Sequence, residues 1–152
     1  MSKSSSGSSN SYPEKLRLVN QVCFPLYSAS NAVIRSYKPY LKELDLTYLQ
    51  YIVLMVLWEE EKLNVKEIGG KLMLNSGTLT PVLKRLDSKG YIERRRSEKD
   101  ERARIIILTK KGKELQKSAE SIPFQLLNSM GLSKKQLQQM KELCEQVLNI
   151  LD

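Results

Sequence analysis

The chain contains no histidine in its 152 residues. That absence excludes Ser-His-Asp and Cys-His-Asn catalysis, histidine-ligated zinc and imidazole pH switching. Cysteine is nearly as scarce: Cys23 and Cys144 stand 121 positions apart. They can form neither a CxxC site nor the dense disulfide framework of a small secreted domain. Long apolar runs are also missing. The longest, Tyr48–Trp58, has 11 residues and includes Gln50, well short of the roughly 20 that cross a bilayer. No early apolar segment reads as a signal peptide. These absences predict a cytoplasmic, reducing location with no membrane partner. No catalytic set, metal site or cofactor motif is expected, and the chain is not read as an enzyme.

What is present is a core and an excess of positive charge. Hydrophobic residues make up 41% of the chain and charged ones 28%, with a net charge of +8, enough to fold one domain and to attract an anionic partner. The charge is concentrated. From Pro81 to Lys113 twelve Lys and Arg stand against five Asp and Glu, so seven of the eight net charges fall in this stretch. A run of charge is usually a solvated face; what underlies it decides whether it is more.

Residues 1–10 are Ser/Gly-rich and predicted to be a disordered tail. Ser11-Tyr12-Pro13-Glu14 has the spacing of a capping box, and predicts a long helix ending near Lys38-Pro39. Its apolar positions Leu16, Val19, Cys23, Leu26, Ser30, Val33 and Tyr37 step by alternating threes and fours, a coiled-coil seam. A second helix, capped by Asp45, should run through Trp58 and be buried on most sides. Asn64-Val65-Lys66-Glu67 opens a third. A fourth starts near Ser76 and stops at Gly90. Strands are predicted at 91–96 and 104–108, then a helix capped by Thr109 that runs towards Pro123. Ser133-Lys134-Lys135-Gln136 opens a terminal helix with the seam Leu137, Met140, Cys144, Val147 and Leu151.

Two short helices joined by a tight turn and followed by a hairpin form a winged helix-turn-helix. The expected class is mainly α with a small β-hairpin wing, over a single domain at 11–152. The winged helix-turn-helix covers 45–109, and dimerisation helices cover 11–38 and 110–152. On the fourth helix Leu79, Val82, Leu83 and Leu86 must face the core, which turns Gly77, Pro81, Lys84 and Ser88 outward, flanked by Thr80 and Arg85. Small residues at the helix start let it enter a major groove. Pro81 should distort the first turn, because its ring meets the carbonyl of Gly77. Candidate DNA contacts are Ser76, Thr78 and Thr80 at the helix start, Lys84 and Arg85 in the groove, Arg94 and Arg96 at phosphates and Arg102 in the minor groove. Alternation along the strand sends Arg95 to the face opposite Arg94 and Arg96.

The run Leu74-Asn75-Ser76-Gly77-Thr78-Leu79-Thr80-Pro81 through Leu86, with Asp100-Glu101-Arg102 and the Leu108-Thr109-x-x-Gly112 step, resembles the MarR family of bacterial repressors. Cys23-Phe24-x-Leu26-Tyr27, Tyr37-Lys38-Pro39 and Leu46-Thr47-Tyr48 are similar to its organic-hydroperoxide-sensing, OhrR-like branch. The resemblance covers roughly residues 16–152. It implies a homodimer with interlocking terminal helices, binding a palindromic operator in double-stranded DNA. It also implies a redox-sensing Cys23 surrounded by Tyr27, Tyr37 and Tyr48, with organic hydroperoxides and small thiols as effectors. Tyr27, at i+4, can touch Cys23 within one helix. Tyr37 lies roughly 21 Å further along a continuous helix, so it would reach the thiol only from the other subunit. Tyrosine hydroxyls donating to the sulfur would favour the thiolate. Pro25 departs from the branch pattern: either it starts a helical segment just after Cys23, or it kinks a longer helix. The branch's two-cysteine sensors place their resolving thiol nearer Leu127 than Cys144, so Cys144 is read as core and oxidised Cys23 as capped by a small thiol.

Two competing readings remain at this level. In one, Cys23 is a small buried hydrophobe, as free cysteine often is, and a small aromatic ligand controls a MarR-type repressor. In the other, the chain is a thiol peroxidase with an incidental basic face, although no second thiol stands at motif spacing.

Overall fold

The computed structural model describes residues 13–97 and 103–151, which fall into two compact units meeting in sequence between Ser36 and Tyr37. In the first, Glu14–Leu16 and Leu18–Asn20 are single 3-10 turns and α1 spans Cys23–Ser36. The helix predicted to start near Pro13 therefore starts at Cys23 instead, and Pro25 supplies the reason. In a helix begun earlier its ring would meet the carbonyl of Gln21 and forfeit a hydrogen bond. In the first turn, where N–H groups have no intrahelical acceptor, the missing donor is harmless. The predicted cap Ser11 lies outside the described residues, as does the tail at 1–10. Of the predicted seam, Leu16 and Val19 sit in the 3-10 turns and only Cys23 to Val33 lie on α1. No residue of α1 is buried.

In the second unit α2 spans Lys38–Glu43 and α3 spans Tyr48–Glu59. Pro39 interrupts the chain as expected but occupies the first turn of α2, a position proline tolerates. Asp45 is not the cap of α3. It adopts a left-handed conformation with φ 52°, and its carboxylate pairs with Lys89 at 2.9 Å. Thr47 caps instead, its hydroxyl accepting the Gln50 N–H at 3.3 Å while the Gln50 side chain accepts the Thr47 N–H at 3.1 Å. The glutamine three residues on decides between two cap-forming residues. Tyr51, Val53, Leu54 and Leu57 of α3 are buried and form the centre of the core.

Strand β1, Lys62–Asn64, leads directly into α4, Val65–Leu72. Asn64 and Glu67 form the expected capping box. Met73 then takes the left-handed position with φ 53°; the Leu74 N–H reaches back to the Gly69 carbonyl at 2.9 Å, a Schellman closure without glycine. α5 spans Ser76–Ser88 with Asn75 as its cap and continues as one helix through Pro81. It ends in a second Schellman pair, Gly90 N–H to Asp87 O at 2.8 Å and Tyr91 N–H to Leu86 O at 3.1 Å.

Strands β2, Ile92–Arg96, and β3, Arg104–Leu108, form the hairpin. The sheet is antiparallel in the order β1-β3-β2, with Leu63 opposite Ile106 and Arg94 opposite Ile106 on the other side. β1 is absent from the sequence expectation because three residues carry no periodicity. It exists because β3 offers a free edge and Leu63 a buried side chain.

α6, Lys110–Ala119, is capped by Thr109. It stops short of Pro123, which instead stands in the first turn of α7, Ile122–Ser129. α8 spans Lys134–Leu151, with Ser133 and Gln136 joined as predicted. α8 has no buried residue.

Candidate functional site

Leu79, Val82, Leu83 and Leu86 of α5 are buried, and Ser76, Thr80, Lys84 and Arg85 on the rest of the helix are exposed. The helix start is built for close approach. The Asn75 side chain accepts the Thr78 N–H at 2.9 Å and the Thr78 hydroxyl at 3.1 Å, and the Thr80 hydroxyl donates to the Ser76 carbonyl at 2.7 Å. Both threonine hydroxyls therefore keep only acceptor capacity for a ligand, while N–H groups of the first turn point outward with the positive end of the helix dipole. In front of this end lies an open groove of about 880 Å³ whose walls include Lys66, Gly70, Asn75, Ser76, Thr80 and Arg104. Lys66 and Arg104 bring charge to it from α4 and β3. Neither is marked by the sequence pattern as a DNA contact, although Arg104 opens the return strand. Lys84 and Arg85 have no ion pair among the described residues.

The wing arginines divide as alternation requires, and the structure spends two of them. The Arg94 Nε donates to the Asp87 carboxylate at 2.9 Å. Both side chains are half-buried, with 31% and 35% exposed. Arg94 thus ties the wing to the end of α5, and its Nε is not available to a phosphate. Arg95 makes a two-pronged contact with Glu93, 2.9 and 2.8 Å; the guanidinium holds the Glu93 carboxyl below its usual value. Arg96 is exposed. Arg102 lies outside the described residues, as do Lys99 and Asp100.

The aromatic candidates gather around α3. The Tyr37 and Tyr48 rings lie 5.0 Å apart, and Tyr37 also meets Tyr51 at 5.7 Å. Burial, helped by the neighbouring phenols Tyr48 and Tyr51, pushes the Tyr37 hydroxyl up to about 12; burial also raises Tyr48 and Tyr51. All three remain neutral hydrogen-bond donors near neutral pH. Tyr51 was not among the sequence candidates. The signal was available in the spacing Tyr48, Tyr51, Met55, Trp58, which lines one side of a helix. The Trp58 ring lies 6.2 Å from Tyr51, edge to face, and its indole N–H donates to the Gly112 carbonyl at 2.9 Å. In the other unit, Cys23 is an exposed free thiol at the first position of α1, and Tyr27, 67% exposed, follows one turn later. Cys144 is half-buried on α8.

A helix pair with a three-residue turn, an open polar and basic face on the second helix and an antiparallel hairpin beside it define a winged helix-turn-helix protein. Comparison with known proteins agrees. The model of the transcriptional regulator SarA/Rot family matches residues 35–119. The organic hydroperoxide resistance transcriptional regulator of Bacillus subtilis is 45% identical over 139 residues, 91% of this chain and 92% of the relative. The structure of reduced AbfR bound to DNA superposes with a TM-score of 0.75 at 38% identity, covering 91% of this chain and 96% of AbfR. AbfR comes from Staphylococcus epidermidis and has also been solved overoxidised on DNA and in a disulfide form. A MarR variant from Escherichia coli in complex with operator DNA gives a TM-score of 0.74 at 25% identity over 82% of this chain and 91% of MarR. The chain belongs to this family of MarR-type winged-helix transcriptional regulators, in its organic-hydroperoxide branch. No helix among the described residues is long and apolar enough to cross a membrane.

Proposed function

We propose that the chain is a cytoplasmic transcriptional repressor, not an enzyme, which binds a palindromic operator in double-stranded DNA as a homodimer and releases it when Cys23 is oxidised by an organic hydroperoxide. The observation that carries the reading is the open face of α5, where Ser76 and Thr80 line a groove edged by Lys66 and Arg104 and exposed Lys84 and Arg85 follow further along the helix. Lys84 and Arg85 enter the major groove; Ser76, Thr78 and Thr80 meet the backbone at the helix start; Arg96 holds a phosphate, joined by the terminal nitrogens of Arg94; Arg102 reaches the minor groove. Residues 45–109 form the reading head. The segments 11–38 and 110–152 form the dimer contact, whose apolar side chains are open in one chain alone: Leu26 at 49%, Leu143 at 62% and Val147 at 40%.

The sensing step is a two-electron oxidation. The Cys23 thiolate attacks the terminal oxygen of the hydroperoxide, the O–O bond breaks, the alcohol leaves with a proton, and the sulfur becomes a sulfenic acid. A small thiol then attacks that sulfur, water leaves and a mixed disulfide remains. Tyr27 of the same chain, with Tyr37 and Tyr48 of the second chain, donates to the thiolate; these hydrogen bonds change when the sulfur is oxidised, and the bulky disulfide changes the spacing of the two reading heads. The relative named for organic hydroperoxide resistance supports this reading, as do the reduced, overoxidised and disulfide forms of AbfR. The test is Cys23→Ser, which should bind the operator with wild-type affinity and keep it in cumene hydroperoxide. A mutant that still lets go on oxidation refutes the assignment.

A second reading has one observation in its favour. An open cavity of about 380 Å³ with Tyr51, Met55, Trp58 and Pro123 on its apolar side and Glu59, Gln116, Lys117 and Glu120 on its polar side has the size of a small-ligand site, and an aromatic effector there would leave Cys23 structural. Alkylation of Cys23 that leaves both operator affinity and ligand response unchanged would favour it.

A further inference from the structure

We propose that Trp58 is a positioning residue that couples the tyrosine cluster to the base of the wing. The inference rests on the thiol-sensing reading above. Tyr48, Tyr51 and Trp58 stand on one side of α3, ten residues from end to end, or about 15 Å of rigid helix. Ring contacts are continuous along that side: Tyr37 to Tyr48 at 5.0 Å, Tyr37 to Tyr51 at 5.7 Å and Tyr51 to Trp58 at 6.2 Å. Tyr51, at 2% exposure, is held between the Tyr37 and Trp58 rings.

At the far end the indole N–H holds the Gly112 carbonyl at 2.9 Å. Gly112 is where α6 presses on the segment joining α5 to β2. Its N–H donates to the Thr109 hydroxyl oxygen at 3.1 Å. That hydroxyl in turn donates to the Gly90 carbonyl at 2.6 Å, and the Thr109 N–H reaches the Tyr91 carbonyl at 3.1 Å. Gly90 and Tyr91 close α5 and open the wing. Displacing the phenols therefore pushes or frees, through one indole hydrogen bond, the residues that fix the wing against the recognition helix. The rigid helix and the chain of directed contacts carry the shift past the cavity that borders Tyr51 and Trp58.

The test compares wild type, W58F and C23S in operator binding, reduced and after one equivalent of cumene hydroperoxide with a small thiol. Phenylalanine keeps most of the ring and removes the donor. W58F should bind the operator when reduced with affinity near wild type, and its Cys23 should be oxidised at the wild-type rate by thiol labelling. The ratio of oxidised to reduced dissociation constants should fall by about fivefold or more, the worth of one hydrogen bond expressed as coupling. A residue that merely fills the core would change stability and reduced affinity and leave that ratio alone. Trp58 is the only tryptophan in the chain, so its emission supplies a second measurement needing no variant at position 58. Oxidation without DNA should change it in wild type and not in C23S. A responsive wild type with an undiminished W58F ratio, or with emission untouched by oxidation, overturns the role of Trp58 alone. A wild type that does not release DNA on oxidation overturns the sensing reading and this inference with it.

Discussion

Gly70 and Gly112 both sit within helices, and on backbone entropy alone alanine at either should stabilise the fold by about 0.5–1 kcal/mol. Space separates the two. A Cβ on Gly70 meets nothing within 4 Å, so G70A should keep the whole gain. A Cβ on Gly112 would stand 2.2 Å from the Tyr91 carbonyl oxygen and 2.7 Å from a Leu108 methyl. Neither neighbour can retreat easily: the Tyr91 oxygen accepts the Thr109 N–H at 3.1 Å and shares the one Thr109 hydroxyl proton with the Gly90 oxygen, at 3.0 and 2.6 Å, and Leu108 is buried. Clearing the overlap needs a backbone shift approaching 1 Å that strains two hydrogen bonds. Overpacking of this kind costs about 3 kcal/mol or more. The clash therefore outweighs the propensity gain, and G112A should be destabilised by about 2 kcal/mol or more. Urea unfolding followed by Trp58 emission measures both variants, with the m-value checking that each remains two-state. G112A at or above wild-type stability, or G70A clearly below it, would show that packing at these glycines has been misjudged.

Three further outcomes follow from the same geometry. R96A should weaken operator binding and lower the slope of log affinity against log salt by about 0.9, the loss of one phosphate contact, whereas K84A and R85A should weaken binding to the operator more than to unrelated DNA; wild-type behaviour would remove that residue from the interface. Asp87→Asn keeps an acceptor but takes the charge from Arg94 in a pair about one-third exposed, so thermal unfolding should show a loss of about 1 kcal/mol, and an unchanged transition would show the pair to be idle. The Tyr37 hydroxyl, raised from 10.0 to about 12 mainly by burial, makes the folded state prefer the protonated phenol. Its contribution is intact below pH 10 and lost as pH rises towards 12, so ultraviolet titration should find the Tyr37, Tyr48 and Tyr51 cluster ionising above 10 and Y37F should flatten the alkaline loss of stability; a cluster that ionises at 10 would contradict the burial argument.

Much of the reading head was legible because its signals are local. The Asn64–Glu67 and Ser133–Gln136 boxes, Thr109, Gly90 and the Leu79–Leu86 stripe each fix an element with residues no more than a few positions apart. The misread elements are those where two local signals competed or where the cause lay elsewhere in the chain. Asp45 and Thr47 could both cap α3, and Gln50 settles the choice. Pro25 and Pro123 can each end a helix or occupy its first turn, and here both do the latter. β1 needs the edge of β3, about forty residues away. At the site, the outward face of α5 follows from helical periodicity. The engagement of Arg94 with Asp87 and the seating of Trp58 on Gly112 depend on how separate elements meet, which spacing does not encode.

α1 and α8 bury none of their own residues, and Met140, Val147 and Leu148 of α8 are 40–43% exposed. Helices owe most of their stability to packing, so these two need a second chain to hold their shape. A regulator built this way is sensitive to its own abundance. Dilution below the concentration at which the dimer holds should therefore part the subunits, fray the two helices and empty the operator without any oxidant.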